Sequence, residues 1–327
     1  MEDLIRRFEP RVARALREAI NEITDQVSMA AIGRAIEAGD LERAINLVGA
    51  DRLAERMRGQ GLEPGATSFT DEIRAAFDAG GTAAQRQLPR EAALQASLDL
   101  TNPEAVVFLR ENVPRLIREI SEETREAVRQ AVLRGFEEGR PIRLAAREIR
   151  DSVGLTIKQS QAVANFRRQL ETGQLGNGKA PWQRRLSASE QAQARSMFRQ
   201  AAEGSPVDSS RINEITERYR QSLINRRAQN IARTETHRAF IEGQQEQWRQ
   251  AVEEGLLDPE VTRRIWIVMP DDRLRRDHRA VPGMNEGGVT LDGKFQTPVG
   301  LVDAPGLSDD PAFNINCRCA LALEIDE

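Results

Sequence analysis

The chain has 327 residues, a formal net charge of -4, 30% charged residues and only 4% aromatics. Nearly balanced charge excludes a uniformly basic coat for nucleic acid. So few aromatics exclude one bulky core, and the interior has to be built from Ala, Leu, Ile and Val in helical layers with charged outer faces.

Among the basic residues only Lys158, Lys179 and Lys294 are lysines. That reads first as codon bias in a GC-rich genome, and second as a taste for bidentate contacts to phosphate or carboxylate. No run of about 18 apolar residues predicts a transmembrane helix. The start, Met1 to Arg7, lacks a secretory pattern, so folding in a cytoplasm is expected.

Ile5, Phe8, Val12, Leu16, Ile20, Ile23 and Val27 recur at helical spacing and predict one long amphipathic helix. Ser28 caps a second helix ending near Gly39, and Leu41, Ile45 and Val48 begin a third. A loop covers Gly59 to Gly65. Thr67 or Ser68 then caps a helix carrying Phe69, Ile73, Ala76 and Phe77, with Gly80-Gly81 and Pro89 read as breaks.

Pro103 suits a first helical turn. A short helix through Val107 and Leu109 leads to Pro114, and a long one runs to about Glu138. After Gly139-Arg140-Pro141, one face of the next helix carries Ile142, Ala145, Ile149 and Val153. Another carries Val163, Phe166 and Leu170. Gly173 to Gly178 mark a hairpin tip near 172–184. Helices follow over about Ala188 to Ala202 and Ser209 to Gly255. The second has a face of Ile212, Ile215, Tyr219 and Leu223, then Ile224, Ala228, Ile231 and Ala239. Short connections favour antiparallel neighbours.

The last part differs in kind. Arg264 to Val268 has strand propensity, and Ala320 to Ile325 supplies a closing strand. Val289 to Phe295, with Asp292-Gly293 as a type I′ turn, reads as a hairpin. These three or so strands form a small antiparallel sheet that needs helices to pack on. The expected fold is mainly α: an elongated antiparallel helical body with a small C-terminal α+β module. The regions are 1–98 (helical), 99–255 (helical body) and 256–327 (module).

Glu235 falls on the stripe of Ile231 and Ala239, where a carboxylate requires a partner. Arg273, Arg275 and Arg276 are the candidates, and such a pair would latch the helices to the module. The alternative is that Glu235 reaches solvent at the stripe's edge. Both cysteines, Cys317 and Cys319, stand beside each other in a CxC pair, too close for a disulfide framework. With His278 they offer three soft ligands for zinc, and Asp272, Asp277 or water is the candidate fourth. The competing reading is two small buried residues at a strand start. His237, alone on its helix, reads as an exposed or packing residue. Asp271 to His278 also carries acids, arginines and a histidine, but no nucleotide, dinucleotide, metalloprotease or hydrolase motif occurs anywhere, which lowers the expectation of an enzyme.

Taken in order, Ile231-Ala232-Arg233-Thr234-Glu235, Trp266, Asp271-Asp272-Arg273 with Arg276 and His278, Gly283, Phe295 and Asn316-Cys317-Arg318-Cys319 resemble the phage Mu F-like head morphogenesis (minor head protein) family. Thr101 to Ala105, Gly139 to Ala145 and Gln161 to Asn165 are similar to the helical region preceding that domain. The resemblance covers about Asp99 onward. It implies a minor head (capsid) protein of a tailed phage or prophage, sited inside the head at the portal vertex and made in the host cytoplasm. It would assist head assembly, DNA packaging or ejection. The implied partners are the portal protein, the major capsid protein and packaged double-stranded DNA. Arg233, Thr234, Glu235, Trp266, Asp272, Arg273, Arg276 and Asn316 then stand as family-motif or latch residues. Many members carry a CxxC ahead of the final Cys-Arg-Cys and resemble a zinc-binding module. Here Arg275 and His278 occupy that region, so His278, Cys317 and Cys319 remain the ligand candidates. The alternatives are a nucleotide-modifying or hydrolytic enzyme with its site in the module, and a stand-alone DNA-binding protein.

Overall fold

The computed structural model describes residues 2–137, 140–174 and 181–325. It is mainly α-helical, with four short strands confined to the C-terminal part. No helix among the described residues is long and apolar enough to cross a membrane.

Helix α1 (Glu2–Gln26) buries Ile5, Val12, Leu16, Ile20 and Ile23, the stripe its spacing predicts. The Ser28 hydroxyl accepts from the Ala31 amide (3.2 Å) and starts α2 (Met29–Glu37). The single third helix expected from Leu41 is two, α3 (Leu41–Asn46) and α4 (Ala50–Met57). Gly49 takes φ +77 between them, which ends the first and redirects the chain. At α5 (Phe69–Gln85) the Ser68 hydroxyl and the Asp71 carboxylate cap each other's backbone amides at 3.0 and 2.9 Å, so Ser68 is the cap. α6 (Arg90–Gln95) follows Pro89.

Gly80-Gly81 do not break α5. Its backbone instead lies against a later helix, α12 (Ser209–Glu253), and a Cβ on Gly80 would collide with the Phe240 carbonyl. A Cβ on Gly243 would collide with the Phe77 carbonyl in the same way. The glycines serve close approach of two helices, a tertiary demand that local propensity does not show. Pro114 is not a break either. α7 (Pro103–Val107) passes through a π-helical turn (Phe108–Asn112) into α8 (Val113–Glu137). The wider turn takes up the amide that proline lacks and the clash its ring makes with the preceding turn.

α9 (Ile142–Asp151) buries Ala145 and Ile149 but leaves Ile142 exposed. α10 (Ile157–Thr172) buries Val163, Phe166 and Leu170 and ends at Gly173 in the left-handed region. A 3-10 turn (Pro181–Arg184) precedes α11 (Ala188–Ala202), capped by Ser187. Residues 175–180 of the expected hairpin tip, and Gly139, lie outside the described residues.

The chain forms two compact units. One comprises Leu16–Gly61 and Leu116–Ala228. It holds an aromatic cluster in which Phe166 lies 5.0 Å from Tyr219 and 5.5 Å from Trp182. The other comprises Met1–Ala15, Leu62–Arg115 and Gln229–Glu327. In it β1 (Thr262–Ile267) pairs antiparallel with β4 (Ala320–Ile325), placing Trp266 opposite Leu321. β2 (Phe295–Thr297) pairs antiparallel with β3 (Gly300–Val302). Two two-stranded sheets therefore replace the single sheet expected.

The hairpin also closes later than the Asp292-Gly293 signal predicts. Neither of those residues has the positive φ that a type I′ turn needs. The Arg264 guanidinium donates to the carbonyls of Thr290 and Gly293, holding that stretch as a loop, and Val289 bridges to Arg264. The turn falls at Thr297 to Gly300, where the Thr297 hydroxyl donates to the Gly300 carbonyl (2.6 Å). Two short helices complete the module, α13 (Arg276–Met284) and α14 (Pro311–Asn314); the sequence reading had neither.

Candidate metal centre

α13 begins within the charged run Asp271 to His278, and this placement makes the site. His278, in the first turn of α13, points inward, while Asp277 and Arg279 on either side are exposed. Trp266 from β1 and Phe313 from α14 wall it in, the Phe313 ring 4.2 Å from the imidazole between centroids. Cys317 and Cys319 lead into β4. Alternation along an extended segment turns both thiols to the same side, toward His278, and Arg318 between them outward.

The result is a buried cluster. One ligand atom from each of His278, Cys317 and Cys319 lies within 4.8 Å of the others, the one such group among the described residues. His278 Nδ1 is 3.2 Å from Cys319 Sγ and 3.6 Å from Cys317 Sγ. Nε2 lies 3.0 Å from the Phe313 carbonyl. A carbonyl only accepts, so Nε2 carries a proton, and Nδ1 faces the two sulfurs. A ring N–H bonded to a carbonyl is the arrangement that orients a metal-ligating histidine. The Phe313 carbonyl is itself fixed, because Arg275 donates to it (2.7 Å) and to the Ala312 carbonyl.

The two thiols share a proton unequally. Cys319 is pulled down to about 5, chiefly by the Cys317 thiol donating to it, with His278 and the Trp266 indole N–H adding to the effect against burial. The Trp266 N–H makes no hydrogen bond of ordinary geometry, and acts here through proximity. Cys317 is pushed well above the usual thiol range, by that same donation and by burial. A cavity of about 20 Å³ opens beside the cluster, lined by Met269, Asn316 and Arg318 as well as the three ligands. That is room for one ion or one water. Two thiolates and an imidazole suit zinc, and the donor set here fits the ion the family resemblance implies. Cys317, Cys319 and His278 would hold it, tying α13 to the start of β4.

Of the other residues singled out in the sequence, Asp272, Arg273 and Arg276 are exposed. Asp272 and Asp277 are outside the ligand cluster. Asp271 makes the ion pair of that run: the Arg318 guanidinium meets both of its carboxylate oxygens, one at 2.5 Å, and holds the acid down at about 2. Glu235 is half-buried rather than inward. Steps of four residues outrun a 3.6-residue turn by about 40° each. The buried face of α12 accordingly passes through Ala232, Thr236, His237, Phe240 and, from the expected stripe, Ala239.

Arg275, one of the three proposed partners of Glu235, is committed to the Ala312 and Phe313 carbonyls. The module meets α12 through neighbours of Glu235. The Asn316 amide donates to the Thr234 hydroxyl at 3.3 Å, and His237 Nε2 donates to the Cys319 carbonyl at 2.7 Å. His237 is 3% exposed, and burial lowers its basicity. A Cβ on Gly306, which sits at φ +84, would come within 2.7 Å of His237 Nδ1. Of the two readings the sequence allows for His237, exposed or packing, the structure has the packed one, and the residue also positions the Cys319 carbonyl. Its one signal in the sequence was scarcity, since the chain has two histidines and both meet Cys319.

Residues 207–322 match the family described as Phage Mu protein F like protein, and that stretch is similar to the family. The match begins just before α12 and ends within β4, so it takes in the clasp formed by Thr234 with Asn316 and His237 with Cys319. It supports a phage head-related protein. No curated protein and no solved structure matches the chain.

Proposed function

We propose that this Mu F-like chain is a minor head protein of a tailed phage or prophage, working at the portal vertex in head assembly, DNA packaging or DNA ejection. The family match over 207–322 carries the reading. The architecture supports it: Asn316 and Cys319 of the tail bond to Thr234 and His237 and so hold a small module to a helix, which is the work of an interaction protein. The portal protein, the major capsid protein and packaged double-stranded DNA are its partners on this reading. With a net charge of -4, contact with DNA is through local arginines and weakens with salt.

Mass spectrometry of particles before and after DNA release tests this. The chain is expected in full heads, with its retention or loss reporting ejection; absence from purified heads ends the proposal. We propose further that His278, Cys317 and Cys319 bind zinc as a structural ion, and that Glu235 adds to the α12 side of the clasp. Glu235→Gln should then loosen the module; unchanged thermal unfolding and unchanged protease resistance of the tail would remove Glu235 from it.

A further inference from the structure

Zinc in a closed structural site takes four ligands, and the cluster supplies three. We infer that Asn316 is the fourth, through its side-chain oxygen, so that the centre is sealed by the Asn-Cys-Arg-Cys segment itself. The inference rests on the zinc reading above.

Asn316 lines the same small cavity as His278, Cys317 and Cys319. Its Oδ1 is buried and has no hydrogen-bond partner. An unsatisfied buried acceptor is costly, and a cation is one of the few things that satisfies it. The backbone at Asn316 is the one non-glycine position with positive φ among the described residues, at 56°. Asparagine enters that region more readily than most residues, though still at some cost, and strain of this kind gathers at ligand sites. The residue is also pinned, since its amide donates to Thr234 on α12.

Charge favours it as well. Two thiolates already neutralise a divalent ion, and a neutral amide oxygen adds no net charge to a buried centre, whereas a carboxylate would. The carboxylates available in sequence, Asp272 and Asp277, are exposed.

The test uses the full chain loaded with cobalt(II) in place of zinc, followed by its visible absorption during titration with azide. Azide enters only where a solvent ligand can be displaced. The wild-type spectrum is expected to ignore azide. Asn316→Gly keeps the positive φ without strain and removes only the donor. It should become azide-sensitive and lose zinc affinity by roughly tenfold or more in chelator competition. Asn316→Asp, which restores an oxygen, should return azide resistance. Circular dichroism confirms that each variant is folded. An azide-sensitive wild type places water at the fourth position and overturns the inference. So does an Asn316→Gly variant that binds zinc as tightly and still excludes azide. If wild-type protein takes up neither cobalt nor zinc, the zinc reading itself falls, a result visible before any variant is compared.

Discussion

The two units differ in the polar cross-links they bury. In the unit comprising Leu16–Gly61 and Leu116–Ala228, the cross-links are arginines. Arg220, wholly buried, donates to the carbonyls of Asp151 and Val153 at 3.0 Å each and to the Thr24 hydroxyl at 2.8 Å. Arg227 donates to the Gly154 carbonyl at 2.6 Å and pairs with Glu123. Both satisfy carbonyls at and just beyond the end of α9, where helical partners run out. The other unit has a buried arginine as well, Arg264 on the Thr290 and Gly293 carbonyls, and adds to it the cysteine–histidine cluster. A guanidinium keeps its charge and its donors at any physiological pH. Thiols and imidazole change with protons and with metal. With few aromatics to fill space, each unit fixes its geometry by directed bonds from arginine, and one of them adds a set that depends on conditions.

That contrast can be broken or sharpened experimentally. The largest effect is expected from Arg220→Ala, which strips donors from several buried acceptors and should lose about 3–5 kcal/mol in urea denaturation. A loss under about 1 kcal/mol would mean the arginine network is dispensable. Next is metal removal. With free zinc at about a hundred times its Kd, chelation should lower stability by roughly 2.7 kcal/mol, and Cys319→Ser should make the chain indifferent to chelator. A thermal melt that ignores chelator in the wild type would erase the distinction.

Gly243→Ala, at the crossing of α5 and α12, should cost about 1–3 kcal/mol through overpacking. The cost should be equal with and without chelator, which separates helix packing from the metal.

A smaller effect concerns pH. Burial holds the Glu242 carboxyl up at about 7, against an ordinary value of 4.5. Between those values the folded state keeps a proton that the unfolded chain has lost, so this group makes stability fall as pH rises from about 4.5 to about 7. Glu242→Gln should flatten that part of the curve; an unchanged slope would assign it to other groups. Smallest of all, Asp271→Asn should leave the melt where it is. The Asp271–Arg318 pair is solvent-facing despite its good geometry, and such pairs contribute little.

The legible parts of the sequence were those decided within a turn or two. Ser28 and Ser68 start helices because a hydroxyl reaches an amide three residues on. The α1 stripe and the α10 face follow from period alone. Misreadings arose where a distant segment decided. Gly80-Gly81 resemble a break until Phe240 and Gly243 are brought against them. Asp292-Gly293 resemble a turn until Arg264 takes the neighbouring carbonyls. α13 was hidden because Arg276 to Met284 is charged at the start and carries Pro282 and Gly283, so its short apolar face, His278 and Val281, is too small to show a period.

The candidate site divides in the same way. Residue type and spacing were enough to select His278, Cys317 and Cys319 and to identify the Mu F-like segment, because thiol and imidazole chemistry belongs to the side chains. Orientation was not in the sequence. Only the folded chain sets the Phe313 carbonyl against His278 Nε2, brings His237 under the Cys319 carbonyl and leaves the Asn316 oxygen buried beside the thiols. The first two contacts join residues dozens of positions apart, and no local rule of spacing or propensity specifies them.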